Sequence, residues 1–257
     1  MTIKLKGGAE FLHIPKTGGS WVEEFLKEND LILEYFGHPH ADYDRNLINK
    51  ITTGRECLEE AARLAKNKLL GKKRTPVNEA NSPVFRFCFV RHPLSWYESW
   101  WKYMQGREWN DWGTQNSKDD WHPNSVLNGL GSSDFNEFVS NVVNVRPGYV
   151  TELLYAYTKS GISYIGKTES LREDLGVVLD FLGLRYDRDS LSKSPKINTS
   201  KVEHSEIQWD PDLKKMVKKL ELPSLIHFDY LSDEEKIEMG VDIGVLPNKA
   251  LHCSLNK

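Results

Sequence analysis

The sequence has few of the features that mark secreted, membrane or nucleic-acid-binding proteins. Its 257 residues include only three cysteines, Cys57, Cys88 and Cys253, and none of them forms a CxxC pair. Neither a disulfide framework nor a zinc site is therefore expected. No apolar run is long enough for a signal peptide or a membrane span, so we expect a soluble chain in the reducing cytoplasm, without a membrane partner.

An excess of positive charge is also missing. The chain has 34 Lys and Arg against 37 Asp and Glu, a formal net charge of -3, which argues against a general affinity for nucleic acid. A local basic pocket for one small anion remains compatible with this balance. Hydrophobic residues make up 39% and charged residues 28% of the sequence, which is typical of a globular protein. No linker or repeat interrupts the chain, and we expect one domain over residues 1–257.

Apolar patterns alternate between strand and helix periods. Strands are predicted at 11–14, 31–36, 84–90 and 162–166, and helices from about 20 and at 55–70, 94–103, 133–144, 149–159, 170–182 and 210–220. Such alternation predicts an α/β domain in three layers, with a central parallel sheet flanked by helices. The continuous hydrophobicity of 84–90 indicates a central strand, covered on both faces. Residues 105–133 have no clear period and predict a long, tryptophan-rich excursion.

The segment FLHIPKTGGSWVEEFL predicts a strand, a glycine turn and a helix, an arrangement that suits an anion. The first amides of a helix lack intrahelical partners and carry the positive end of its dipole. Gly18 and Gly19 let the backbone approach oxygen atoms closely, while Lys16, Thr17 and Ser20 add one positive charge and two hydroxyl donors.

The order of residues in this turn differs from the nucleotide-hydrolase loop GxxxxGK[ST], because the lysine precedes the glycines. HIPKTGGS resembles the 5'-phosphosulfate loop of sulfotransferases, and most closely that of the carbohydrate enzymes that include the heparan sulfate 2-O and 6-O sulfotransferases. The resemblance implies a P-loop-type fold and 3'-phosphoadenosine 5'-phosphosulfate (PAPS) as co-substrate. It also implies that residues 16–20, together with Trp21, contact the nucleotide.

A second segment, FRFCFVRHPLSWYESWW, resembles the 3'-phosphate site of the same family. There an arginine ends a buried strand and a serine follows eight residues later on a helix, which corresponds to Arg91 and Ser99. Alone, Arg91 is equally explained by a surface salt bridge, and Ser99 is better explained as an ordinary helical serine. Together, after the first loop, the two residues favour a phosphate site. A 3'-phosphate pocket would favour binding of PAPS over ATP, because ATP has no 3'-phosphate.

Two later segments are weaker matches to the same family. SYIGKTESLREDLGVVLDFLGL resembles its strand-helix segment, and INTSKVEHSEIQWDPDLKKMV resembles its closing region near the nucleotide. The second match implies nucleotide contacts from Asn198, Ser200 and Lys201. A polar surface loop explains these three residues equally well.

Sulfuryl transfer needs a base for the acceptor's proton and a cation for the leaving phosphate. Lys16 lies beside the 5' end of the nucleotide in the resemblance and is the expected cation. Histidine suits proton transfer at neutral pH, and GHPHADYD resembles the base-bearing segment of the 2-O and 6-O enzymes. His40, followed by Ala41, is the closer match and His38 the alternative. A simple proline-containing turn remains open for both, and other sulfotransferases use a glutamate base.

Neither a metal nor a particular acceptor is indicated by the sequence. His38 and His40 have Asp42 nearby, but no third ligand follows at a recognisable spacing, so we expect no metal. Trp109, Trp112 and Trp121 either stack on a sugar or aromatic acceptor or pin the excursion to the domain. The resemblance favours a hydroxyl on a carbohydrate, and a small metabolite is as plausible in the cytoplasm. A PAPS-binding protein without activity and a P-loop kinase remain the competing classes.

Overall fold

The computed structural model describes residues 2–37, 40, 84–105, 123–158, 161–195 and 207–241. Within them lie five strands: β1 (Thr2–Leu5), β2 (Glu10–Leu12), β3 (Ile32–Phe36), β4 (Arg86–Val90) and β5 (Tyr164–Lys167). The same ranges hold nine α-helices: α1 (Gly19–Glu28), α2 (Pro93–Gln105), α3 (Phe135–Val145), α4 (Tyr149–Tyr157), α5 (Leu171–Phe181), α6 (Arg188–Lys193), α7 (Pro211–Leu220), α8 (Leu222–His227) and α9 (Asp233–Glu238). Two 3-10 helices cover Pro123–Leu127 and Thr168–Ser170.

The five strands form one sheet in the order β3-β1-β2-β4-β5. β2, β4 and β5 are mutually parallel, whereas β1 runs antiparallel to both β2 and β3. The prediction of an α/β domain is confirmed, but the prediction of a parallel sheet is wrong, because the sheet is mixed. The cause is β1, a strand that the sequence analysis missed. The turn that follows it is closed by a 2.8 Å hydrogen bond from the Leu5 amide to the Ala9 carbonyl and carries Gly8 at φ 81°.

The parallel strands are covered by helices on both faces. Phe11 pairs with Phe87 and Leu12 with Cys88, so alternate residues point to opposite sides of the sheet. One face packs against α2, α3, α4 and α7, and the other against α1 and α5. β4 has neighbours on both edges, and its residues 87–90 are wholly buried. The prediction of a covered central strand within 84–90 is therefore confirmed.

The predicted helices within the described ranges are present, with small shifts at their ends. Asp210 accepts a hydrogen bond from the Leu213 amide at 2.8 Å and caps α7, with Pro211 as its first residue, as the Asp-Pro pair predicts. The helix predicted at 55–70 and residues 106–122 of the excursion lie outside the described residues. Residues 123–127 form a 3-10 helix in which Asn124 and Leu127 are buried. No helix in the described part of the chain is both long and apolar enough to cross a membrane.

A buried carboxylate joins three helices on the α2 face. Glu221, which is 0% exposed, accepts hydrogen bonds from the Tyr97 hydroxyl at 2.8 Å and from the Val150 and Thr151 amides at 3.2 and 2.7 Å. The Thr151 hydroxyl donates to the same carboxylate at 2.7 Å. Because the two amides belong to the first turn of α4, Glu221 caps that helix from the start of α8 and compensates part of its own burial.

Candidate functional site

The loop between β2 and α1 has an unusual backbone. Lys16 has φ 65° and Gly18 has φ 82°, so two left-handed residues flank Thr17. The buried Thr17 hydroxyl donates to the Ile14 carbonyl at 3.0 Å and closes the turn from inside. A lysine in this region of backbone space is disfavoured by its Cβ, so the surrounding contacts must hold it there.

Both glycines of the loop are required by packing, and Gly18 is also required by its left-handed backbone conformation. A Cβ on Gly19 would lie 1.9 Å from Cδ2 of His13, and a Cβ on Gly18 would lie 2.6 Å from Cδ2 of Leu171. Neither distance leaves room for a methyl group. The sequence analysis explained these glycines by the approach of a phosphate, and the close packing adds a reason that pattern reasoning missed.

The ten-residue helix α1 begins directly at this loop. Its N-cap is Gly18, which has no side chain to cap the helix, and its first turn contains no acidic residue. The Trp21 amide already enters the helical pattern by donating to the Gly18 carbonyl at 3.0 Å. The positive end of the helix dipole therefore faces the loop without a carboxylate from its own first turn to neutralise it.

Arg91 connects the second sequence signature to the first. It follows the last residue of β4, and its Nη1 donates to the Lys16 carbonyl at 3.2 Å. Burial lowers the pKa of Arg91, while the charges of Glu169 and Glu98 raise it in part, and the guanidinium remains a cation. Ser99 lies half-buried on α2, two turns beyond Arg91. The carboxyl end of β4 thus meets the loop that follows β2, as parallel neighbouring strands require.

A polar cluster extends this edge of the sheet to β5. Glu169 accepts from the His92 amide through one oxygen and from the Tyr230 hydroxyl through the other, both at 3.0 Å. Lys167 donates to the Asp229 carbonyl at 2.8 Å and lies 4.7 Å from the centre of the Tyr230 ring. Sequence reasoning missed Glu169 and Tyr230, because 61 residues separate them and no motif joins them.

Contacts with His13 and Tyr157 hold His40 beside the start of the loop. Its Nδ1 lies 3.5 Å from the His13 carbonyl oxygen, and the two imidazole rings meet edge to face at 4.8 Å. The Tyr157 hydroxyl, at the end of α4, donates to the His40 carbonyl. His40 itself has φ 62°. The expected base is therefore adjacent to the residue that packs under Gly19.

His13 is packed beneath the loop. Its ring lies against Gly19 and stacks at 6.1 Å on Phe11. Burial, and secondly the charge of His40, hold the pKa of His13 well below its ordinary value. Burial therefore disfavours His13 as a proton acceptor.

Trp21 is more deeply buried than we expect for a residue that contacts a nucleotide. Its indole is 6% exposed and stacks on Phe25 at 5.7 Å. The guanidinium of Arg172 lies 5.7 Å from the centre of the Trp21 ring and donates to the Ser194 carbonyl at 2.6 Å. The described residues thus hold Trp21 in the core between α1 and α5.

Several predicted residues cannot be placed. Asn198, Ser200, Lys201 and His38 lie outside the described residues. So do three of the tryptophans, Trp109, Trp112 and Trp121. Trp96 and Trp100, in contrast, are buried in the core. Among the described residues, no group of three or more His, Cys, Asp or Glu side chains is arranged to hold a metal ion.

Comparisons with known protein families, with curated proteins and with solved structures found no match to this chain. Function is therefore inferred from the geometry of the loop and its neighbours. The fold brings Lys16, Arg91 and the imidazole of His40 around one helix N-terminus. Such an arrangement suits an anionic ligand beside a group that accepts a proton.

Proposed function

We propose that the chain is a PAPS-dependent sulfotransferase, which transfers a sulfuryl group to a hydroxyl of an acceptor. The observation that carries this proposal is the hydrogen bond from Arg91 to the Lys16 carbonyl. It joins two sequence signatures 75 residues apart, each of which resembles one phosphate site of the same nucleotide. In this proposal the domain is a three-layer P-loop-type fold that works in the cytoplasm.

The nucleotide is assigned to the residues that meet at the loop. Its 5' phosphosulfate lies at the N-terminus of α1, where Lys16, Ser20 and the backbone of Gly18 and Gly19 contact it. Thr17 contributes through its amide, because its hydroxyl hydrogen is already donated to Ile14. These contacts follow from the helix dipole and from the uncapped start of α1.

The remaining contacts hold the other half of the nucleotide. Arg91 and Ser99 bind the 3'-phosphate, with the guanidinium presenting parallel N–H groups to it. Asn198, Ser200 and Lys201 complete the pocket. Trp21 supports the loop from the core side, in line with its burial.

The reaction is a direct displacement at sulfur. The acceptor hydroxyl attacks the sulfur in line with the bridging oxygen, and its proton passes to the neutral imidazole of His40. The bond from sulfur to the bridging oxygen breaks, and 3'-phosphoadenosine 5'-phosphate (PAP) leaves. Lys16 stabilises the negative charge that collects on the bridging oxygen. The proposed chemistry uses no metal.

The acceptor is proposed by chemical class only. A carbohydrate hydroxyl follows from the resemblance to the heparan sulfate enzymes, and a small hydroxylated metabolite follows from the proposed cytoplasmic setting. Neither a nucleic acid nor a membrane is part of the proposal.

Transfer of ³⁵S from labelled PAPS to a panel of oligosaccharides, phenols and small alcohols tests the proposal. We expect labelled product with the wild-type protein and a loss of at least about 100-fold with His40→Ala, since a general base contributes about 10²–10⁴-fold. His227→Ala, which removes an exposed histidine on α8, is the matched control and should retain the wild-type rate.

The outcomes separate the competing classes. PAP binding without any transfer by the wild-type protein would favour a PAPS-binding protein that lacks activity. Magnesium-dependent use of ATP would favour a P-loop kinase. Full transfer by His40→Ala would remove His40 from the mechanism while leaving the sulfotransferase assignment intact.

A further inference from the structure

Three aromatic side chains form a stack along one face of α2. Trp96, Trp100 and Tyr103 are spaced four and three residues apart, which places them on the same side of a helix. The Trp96 and Trp100 rings lie 5.7 Å apart and nearly parallel, at 8°, and the Trp100 and Tyr103 rings lie 5.6 Å apart. We call these three residues the aromatic ladder.

Both ends of the aromatic ladder contact the loop between β2 and α1. At one end, Nε1 of Trp96 donates to the Pro15 carbonyl at 2.9 Å. At the other, Nζ of Lys16 lies 4.0 Å from the centre of the Tyr103 ring. Trp96 and Tyr103, seven residues apart on one face of α2, thus contact two consecutive loop residues, Pro15 and Lys16.

These contacts hold Lys16, whose backbone is in the disfavoured left-handed region at φ 65°. The Lys16 carbonyl accepts a hydrogen bond from Arg91, which lies two residues before the start of α2. The segment from Arg91 to Tyr103 therefore touches Lys16 at both its backbone and its ammonium group. An ammonium over an aromatic face is attracted by the ring's negative potential, more strongly where water is partly excluded, and Tyr103 is half-buried.

We propose that Tyr103 is a positioning residue, whose ring holds the Lys16 ammonium beside the loop, in the place from which it meets the bridging oxygen of the donor. This role rests on the proposed function. The ring restricts the rotamers of the Lys16 side chain before the donor binds. Less conformational entropy is therefore lost when the Lys16 ammonium contacts the bridging oxygen. The aromatic face supplies this effect, and the hydroxyl is not required for it.

Acylation of the ligand-free protein by acetic anhydride tests the contact without any nucleotide. The rate at Lys16 is compared, by peptide mass spectrometry, with the rate at Lys27, an exposed lysine on α1. Tyr103→Leu should raise the Lys16-to-Lys27 ratio at least about fivefold, because the ring no longer covers and stabilises the ammonium. Tyr103→Phe keeps the ring and should stay within about twofold of wild type.

The matched control is Tyr155→Leu, which removes a partly exposed tyrosine, 37% accessible, from α4. It should leave the ratio unchanged. An unchanged ratio in Tyr103→Leu, with thermal unfolding showing that the variant is folded, would overturn the proposal. If Tyr103→Leu fails to fold, a rise of at least about fivefold in Tyr103→Phe, which keeps the ring, would overturn it as well.

Transfer kinetics test the positioning role itself, because the charge that Lys16 stabilises collects on the bridging oxygen only as the bond to sulfur breaks. At saturating PAPS the transfer rate should fall at least about fivefold in Tyr103→Leu and stay near wild type in Tyr103→Phe, with PAP binding measured by calorimetry alongside. An unchanged transfer rate in Tyr103→Leu would contradict the proposal. Binding of neither nucleotide to the wild-type protein would overturn the proposed function, whereas intact PAP binding with an unchanged transfer rate overturns the role of Tyr103 alone.

Discussion

At the scale of single residues, Gly19 and His13 form the tightest contact of the loop. The position of a Cβ on Gly19 is 1.9 Å from Cδ2 and 2.3 Å from Nε2 of the His13 ring. An alanine there must push the imidazole aside, and His13 in turn contacts His40. The glycine therefore fixes the ring that lies beside the proposed base.

We expect Gly19→Ala to reduce the free energy of unfolding by about 1–3 kcal/mol, the usual cost of overpacking, and to weaken PAP binding. The cost should shrink in a His13→Ala background, because the space left by the imidazole accepts the new methyl group. Denaturant unfolding of the four proteins in this cycle measures the difference. An equal cost in both backgrounds would show that the strain arises elsewhere.

His13 also makes stability depend on pH. Its pKa in the folded protein is held well below its ordinary value by burial and by the charge of His40, whereas a histidine in the unfolded chain has a pKa of about 6.5. Below that pH the unfolded state binds a proton that the folded state does not, so stability falls as the pH falls. Stability is fully present above the unfolded pKa.

His13→Asn removes this titration. The free energy of unfolding of the wild-type protein should therefore decline more steeply than that of the variant between about pH 7 and pH 5. Urea unfolding at three or four pH values measures both slopes. Parallel slopes would mean that His13 takes up its proton in the folded state as readily as in the unfolded state.

At the scale of elements, Glu221 holds α2, α4 and α8 together. Glu221→Ala leaves the Tyr97 hydroxyl and the Val150 and Thr151 amides without their acceptor. One buried donor without a partner costs about 1–3 kcal/mol, so the total loss should be at least about 3 kcal/mol. Guanidinium unfolding measures it.

Glu152→Ala is the matched control on the neighbouring helix. Glu152 is 57% exposed and pairs with Arg146 at 2.6 Å, and an exposed pair of this kind contributes about 0–1 kcal/mol. If Glu221→Ala costs no more than Glu152→Ala, the buried carboxylate is not what holds these helices.

Some helices and strands could be predicted from the sequence, and others could not. Asp210 and Pro211 predict the start of α7, because capping and a fixed φ are local effects. β1 was missed because its four residues show little pattern of their own. Its strand conformation comes from pairing with β2, across the turn that follows it, and with β3, which lies beyond α1 and therefore outside any short window of sequence. The helices α6, α8 and α9, each of six residues, are too short to show a helical period.

At the scale of the whole molecule, the parallel strands explain why the candidate site could be predicted at all. β2 and β4 run side by side in the same direction, so the residues after their carboxyl ends must meet. Applied to the sequence, this rule predicts that Arg91 lies at the sheet edge where ligands of open α/β sheets bind. The contacts of Tyr103 with Lys16 and of Tyr230 with Glu169 follow instead from side-chain packing between distant segments, which the sequence does not specify by any local pattern.

Calorimetry of PAP against ADP without magnesium, with wild type and Arg91→Ala, tests the 3'-phosphate site on which the proposed function depends. We expect wild type to bind PAP and not ADP, and Arg91→Ala to weaken PAP binding at least about tenfold, roughly 1.4 kcal/mol. Lys27→Ala, on the exposed side of α1, should leave the affinity unchanged. Equal affinity for the two nucleotides, or binding of neither, would contradict the 3'-phosphate site and with it the proposed sulfotransferase activity.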